Sequence, residues 1–188
     1  MHRLPRTSEA HPMTNVDTMM KVEVVRSPRR RKTVSARQVG DVVRVSVPAT
    51  MTRAEEEHWV TEMVRRIKRR QHSAAVDLEE RARGLAARFG LSAPKSARWV
   101  DNQLQRWGSC TPSDGTVRIS SRLATEPPWV LDYVIVHELA HLQVCGHSKA
   151  FWDIVGRYPL AERARGFLMA RGIDDPDGEP GNPRQADP

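Results

Sequence analysis

Five contiguous residues, His137-Glu138-Leu139-Ala140-His141, followed by His147, have the types and spacing of a metal-dependent catalytic site. Residues four apart on a helix stand one above the other on the same face, so His137 and His141 can aim at one ion. Imidazole nitrogen suits zinc, and a catalytic zinc keeps three protein ligands and one open position for water. His147 is the candidate third ligand, because the chain can turn back at Gly146 just before it. Glu138 stands one position round the helix and can reach a water on that ion, which makes it the candidate general base.

The setting of the motif argues for a site over a chance match. Trp129-Val130-Leu131-Asp132-Tyr133-Val134-Ile135-Val136 lead into it, and a helix apolar on most sides is a buried helix. Two histidines and a glutamate buried there without partners would cost several kcal/mol, and a metal supplies the missing partner. The competing picture is a surface helix that holds the pattern by accident. The apolar neighbours and His147 weigh against it.

Such a site hydrolyses amides by a known route. A zinc-bound water has its pKa lowered to about 7, the metal polarises the carbonyl, and the carboxylate moves the proton to the leaving nitrogen. A second donor to the developing oxyanion is usual, and Tyr133, Tyr158 and Arg106 are candidates. Tyr133 lies one turn before His137 on the same face, and core packing is the favoured reading for it. Asp132 and Asp153 are candidates for orienting a histidine, or else surface acids or caps. Trp107 could line a pocket or fill the core, whereas Trp152 is read as core. Cys110 is read as an inert thiol, and His58 and His72 as surface residues.

Several elements must position these groups. Residues 21–25 read as a short strand. Residues 33–37 and 42–47 alternate like strands around a Gly40-Asp41 turn, which makes a hairpin. Thr52-Arg53-Ala54-Glu55 has the capping-box pattern and opens a helix to about residue 70, with Val60, Met63, Val64 and Ile67 on one side. A second helix is expected over about 75–89, with a stripe of Leu78, Ala82, Leu85 and Phe89 and with Gly90 to end it. A strand over 96–101 follows, then a turn at Pro112-Ser113-Asp114-Gly115. Residues 116–120 read as a strand with one face buried, and its edge could accept an extended peptide unless it is an inner strand. Pro127-Pro128 suit the first turn of the metal helix. Helices are expected over 148–158, with Phe151, Trp152 and Val155 as the apolar face, and over 160–171.

The chain has 188 residues, enough for one domain with a core and flexible ends. The expected organisation is a disordered segment over 1–20, a single domain over 21–173 and a disordered tail over 174–188. Hydrophobic residues are 39% and charged residues 28%, which fits a soluble protein. No apolar run approaches a membrane span and no signal-peptide core is evident, so the expectation is a cytoplasmic monomer without membrane contact. Two cysteines without metal-type pairing suit reduced thiols. The net charge is +7, and residues 21–88 hold 17 Lys+Arg against 9 Asp+Glu. A basic half can attract nucleic acid, or can be a solvated face whose arginine stems cover apolar surface; the second reading is favoured, as no nucleic-acid motif accompanies the charge.

One ordered set of motifs resembles a known family. Arg106-Trp107-Gly108-Ser109-Cys110, then the run from Asp132 through His141, then His147-Ser148 with Phe151-Trp152, is similar to the YgjP-like metal-dependent hydrolases, relatives of SprT-like and WLM zinc peptidases. The basic hairpin over 26–48 resembles that family's N-terminal part, so the resemblance covers about 21–172. It implies an α+β fold with a compact gluzincin-type zincin core, in which a small sheet packs on the HExxH helix after an N-terminal β-hairpin and helices. It also implies zinc (Zn2+) held by His137, His141 and His147, with Glu138 as base. The histidine spacing equals that of metzincins, but those need a glycine where Val144 stands. The leading expectation is therefore a zinc metallopeptidase acting on a protein or peptide. The alternatives are a zinc hydrolase of a non-peptide substrate, and a nucleic-acid-associated SprT-like protease that docks through its basic N-terminal half.

Residues before 20 and after 174 lack periodic apolar positions and are rich in proline and polar groups. A chain trimmed to residues 20–174 should melt within a few degrees of the full-length protein by calorimetry; a collapse of the melting temperature would reveal an ordered element in the ends.

Overall fold

A computed structural model describes residues 20–103 and 105–172. The segments expected to be disordered, 1–20 and 174–188, lie outside the described residues apart from Met20. The fold is α+β and divides into two compact units, one ending at Lys68 and the other beginning at Arg69.

The first unit is a three-stranded sheet with a helix. Strands β1 (Lys21–Ser27), β2 (Ser35–Val39) and β3 (Val42–Pro48) lie in the order β1-β3-β2. β2 and β3 form the expected antiparallel hairpin, turning at Gly40 with φ 62°, and β1 runs parallel to β3. Alternate residues of a strand share a face, so Val22 and Val24 of β1 and Val43, Val45 and Val47 of β3 make one apolar surface. That surface packs with Val60 and Val64 of helix α1 (Arg53–Ala74). The capping box is formed as expected. The Glu55 N–H donates to Thr52 Oγ1 at 3.3 Å, and the Thr52 N–H donates to Glu55 Oε2 at 2.9 Å. The Thr52 hydroxyl, which donates to Glu55 Oε2 at 2.7 Å, and then the Thr52 N–H hold the Glu55 carboxyl below its ordinary pKa, against an opposing effect of desolvation. Helix α1 runs on to Ala74, past the expected end at 70.

The second unit carries the motif. Helix α2 (Leu78–Phe89) starts three residues later than expected, because Asp77 caps it by accepting the Glu80 N–H at 2.9 Å. Gly90 ends it with φ 65°, as read. Strands β4 (Ser96–Val100), β5 (Gly108–Thr111) and β6 (Thr116–Ser120) lie in the order β4-β6-β5. β6 pairs with β4 in parallel and with β5 in antiparallel register, so it is an inner strand and offers no edge to a peptide. The edge beside it is β5, a strand not anticipated from the sequence. A 3-10 helix (Ser121–Thr125) leads to Pro127 and helix α3 (Pro128–His141).

Helix α3 is the axis of this unit. Ten of its 14 residues are buried. Helix α2, strands β5 and β6, helix α4 (Lys149–Val155) and helix α5 (Ala161–Ala170) all pack against it. The small sheet thus lies beside the HExxH helix, as expected. α4 ends three residues earlier than the sequence suggested, and residues 156–160 form the turn into α5. The Arg81 guanidinium donates to Asp132 Oδ1 at 2.6 Å and ties α2 to α3.

Ile135 belongs to the fully buried side of α3 and carries no candidate chemistry. Ile135→Ala should destabilise the unit by about 2–5 kcal/mol through lost burial and the cavity left behind. The expected sign is a lower urea midpoint with an unchanged slope; an unmoved midpoint would contradict this packing.

Candidate metal centre

The three histidines converge, and local structure explains how. His137 and His141 are one helical turn apart on α3 and so share a face. The helix stops at Leu142, Gly146 takes φ 72°, and the chain returns through His147 to the start of α4. Ser148 caps α4 by accepting the Phe151 N–H at 3.4 Å, which fixes His147 one residue before the cap. One ligand nitrogen from each of His137, His141 and His147 lies within 4.8 Å of the others. His137 is fully buried, and His141 and His147 are half-buried, so the cluster has a floor and an open side.

The chemistry of this donor set fits a divalent metal ion that favours nitrogen. His141 Nδ1 lies 3.3 Å from the Val144 carbonyl oxygen. A proton on Nδ1 donates to that oxygen and leaves Nε2 as the lone-pair nitrogen, which is how ligating histidines are usually oriented.

Aromatic rings hold the imidazoles in place. Phe151 stacks on His141, with centroids 4.3 Å apart and planes inclined by 26°. It also meets His137 edge-on at 4.9 Å. Trp152 stacks on His147 at 5.6 Å and carries the Arg165 guanidinium 5.0 Å from its ring. Trp152, read from the sequence as core, is therefore a half-buried wall of the histidine cluster. Tyr133 lies 6.0 Å from His137, ring to ring. Tyr133 and Trp152 also line a cavity of about 190 Å3 with Val155, Ala161, Glu162 and Arg165.

Glu138 is fully buried and faces β5. A Cβ atom added at Gly108 would come within 2.8 Å of both Cγ and Cδ of Glu138 and closer still to Oε1. The Glu138 side chain thus occupies the space that a side chain at residue 108 of β5 would need. Sequence reasoning missed Gly108 as a site residue; its one signal was membership of the Arg106–Cys110 motif.

The other candidates are placed as follows. Tyr158 donates its hydroxyl to the Trp129 carbonyl at 2.9 Å. Burial first, and the Asp132 charge second, push its pKa up, with Arg81 and Arg88 acting the other way. Arg106 is exposed, and its backbone carbonyl accepts from Arg122 Nη2 at 2.6 Å. Trp107 is buried, with the Arg122 guanidinium 4.3 Å from its ring. Burial, and then the charge of Arg69, lower the Arg122 pKa below the usual arginine value. Asp132 pairs with Arg81 and Asp153 with Lys149 at 2.7 Å, so these acids make ion pairs between and along helices instead of orienting a histidine. Cys110 is half-buried and Cys145 exposed, and they are not bonded to each other. His58 and His72 are exposed, as read. Among the described residues, no helix is long and apolar enough to cross a membrane.

Comparison with known proteins agrees with the motif. A family model described as YgjP-like, metallopeptidase domain, matches residues 68–168. Among solved structures, the chain is similar to the crystal structure of the metallopeptidase zymogen of Pyrococcus abyssi abylysin. The identity is 20% and the TM-score 0.45, over 50% of this chain and 93% of that one. No curated protein matches.

Because Ser148 starts the helix that carries Phe151 and Trp152, its loss should be felt in stability. Ser148→Ala should cost about 1 kcal/mol, read as a lower thermal midpoint, while Lys149→Ala on the exposed side of the same helix should cost less.

Proposed function

The chain belongs to the YgjP-like metallopeptidase family, and on that footing we propose that it is a zinc-dependent peptidase with its ion on His137, His141 and His147 and with Glu138 as general base. The observation that carries this reading is the convergence of three imidazole nitrogens within 4.8 Å beside a buried carboxylate at the next helical position. Three neutral nitrogens suit a catalytic zinc, which keeps one further position open.

When bound, the zinc supplies a Lewis acid for the carbonyl oxygen and acidifies a water. Glu138 accepts the proton of the attacking water and delivers it to the leaving amine nitrogen, so the C–N bond breaks with nitrogen protonated. Val144, through its carbonyl, holds His141 in the tautomer that offers Nε2. Phe151 and Trp152 limit the tilt of His141 and His147 by stacking on them. Of the candidate donors to the oxyanion, Tyr133 is favoured by its ring against His137. Tyr158 has its hydroxyl committed to Trp129, and Arg106 is exposed.

The edge strand β5 supports a peptide substrate. An extended peptide added to its outer side would gain main-chain hydrogen bonds along the strand whose Gly108 lies against Glu138.

Purified protein should hold about one zinc per chain by elemental analysis. The double variant His137→Ala with His141→Ala should hold none, and stoichiometric zinc in it would overturn the ligand assignment. In a peptide-library assay, Glu138→Gln should keep its zinc and lose about a hundredfold to ten-thousandfold in turnover. Wild-type turnover in the zinc-replete variant would remove Glu138 as the base. Loss of zinc along with activity would make it a ligand, or the support of one.

A further inference from the structure

We propose that Gly108 is a positioning residue for Glu138, and that the missing side chain at this point of β5 sets where the catalytic carboxylate stands. Residue 108 is a glycine for a reason of space and not of backbone conformation. The described glycines with positive φ are Gly40, Gly90, Gly115, Gly146 and Gly172. Gly108 is not among them, so its backbone would accept any residue. What excludes a side chain is space: a Cβ would lie 2.8 Å from Cγ and Cδ of Glu138, inside van der Waals contact.

Such a clash is relieved by whichever partner is held less firmly. The β5 backbone is pinned on several sides. Gly108 pairs with Ile119 of β6, and the Ser120 N–H donates to the Trp107 carbonyl at 2.9 Å. Trp107 is 4% exposed and has Arg122 against its ring, while the same Arg122 holds the Arg106 carbonyl at 2.6 Å. Glu138, by contrast, hangs on rotatable side-chain bonds from a buried helix. A methyl group at 108 therefore drives the carboxylate off its place and leaves the strand where it is. The three atoms nearest that methyl group all belong to Glu138 and none to His137, His141 or His147, so the clash falls on the carboxylate side chain and not on the metal ligands. A displacement of about 1 Å at a reacting group costs on the order of a hundredfold in rate.

The inference rests on Glu138 being the base, and its test separates the two. Gly108→Ala, Glu138→Ala and the double variant are compared with wild type by thermal unfolding, zinc content and peptide turnover. Gly108→Ala should lower the midpoint in the wild-type background. In the Glu138→Ala background the same change should be neutral or raise the midpoint, because the methyl group then enters space the carboxylate has left. An equal loss in both backgrounds would overturn the proposal. If Gly108→Ala does not fold, folding restored in the double variant supports the proposal and failure of both overturns it. Folded Gly108→Ala should hold about one zinc per chain and lose about a hundredfold in kcat, with KM within about threefold. Wild-type kcat with full zinc would equally overturn it. Should zinc-loaded wild type cleave no peptide, the peptidase reading fails, and the unfolding cycle alone decides whether Gly108 sets the place of Glu138.

Discussion

The second unit depends on one constraint: a helix buried on nearly every side must carry an imidazole and a carboxylate inside it. His137 and Glu138 are both fully enclosed. Moving such groups from water into an apolar core is among the costliest events in folding, and it persists only where neighbours supply polar partners or a metal. The surroundings of α3 are arranged to that end. Phe151 and Trp152 fix the rings of the histidines, the Val144 carbonyl meets His141, and β5 presents bare backbone to Glu138. The aliphatic residues of α3 and α2 close the far side.

The histidine cluster was legible in the sequence because its parts are local. Two histidines at helical spacing and a third after a glycine turn need only short-range geometry to meet. The hairpin of β2 and β3 and the capping box at Thr52 were legible for the same reason. Strand β5 was not, since Gly-Ser-Cys-Thr has little intrinsic preference for a strand; pairing with β6 and packing on α3 make it one. The alternating pattern of β6 showed a buried face but could not show that both of its edges are paired. The start of α2 was missed although Asp77 and Glu80 have the spacing of a capping pair. Asp132, Asp153 and Tyr158 were misjudged or left open because their partners, Arg81, Lys149 and the Trp129 carbonyl, are chosen by packing rather than by sequence neighbours in all but one case.

The two units use the same path of three strands. In each, an outer strand runs parallel to the central one, and the third strand joins the centre through an antiparallel hairpin closed by a glycine with φ near 65°. The sequence shows no internal repeat, so the likeness lies in topology alone. Their use differs: the first sheet packs its valines with α1, while the second lays its glycine edge against a polar group of α3.

The chain distances within the site differ threefold. His137 and His147 are ten positions apart, and a loop that short closes at little entropic cost. Gly108 and Glu138 are thirty positions apart, and their meeting waits for the hairpin of β5 and β6 to form and dock on α3. The histidine cluster is therefore closed by local chain geometry, and the contact of Gly108 with Glu138 by long-range packing. One four-residue strand, docked from thirty positions away, is thus what joins the two parts of the site.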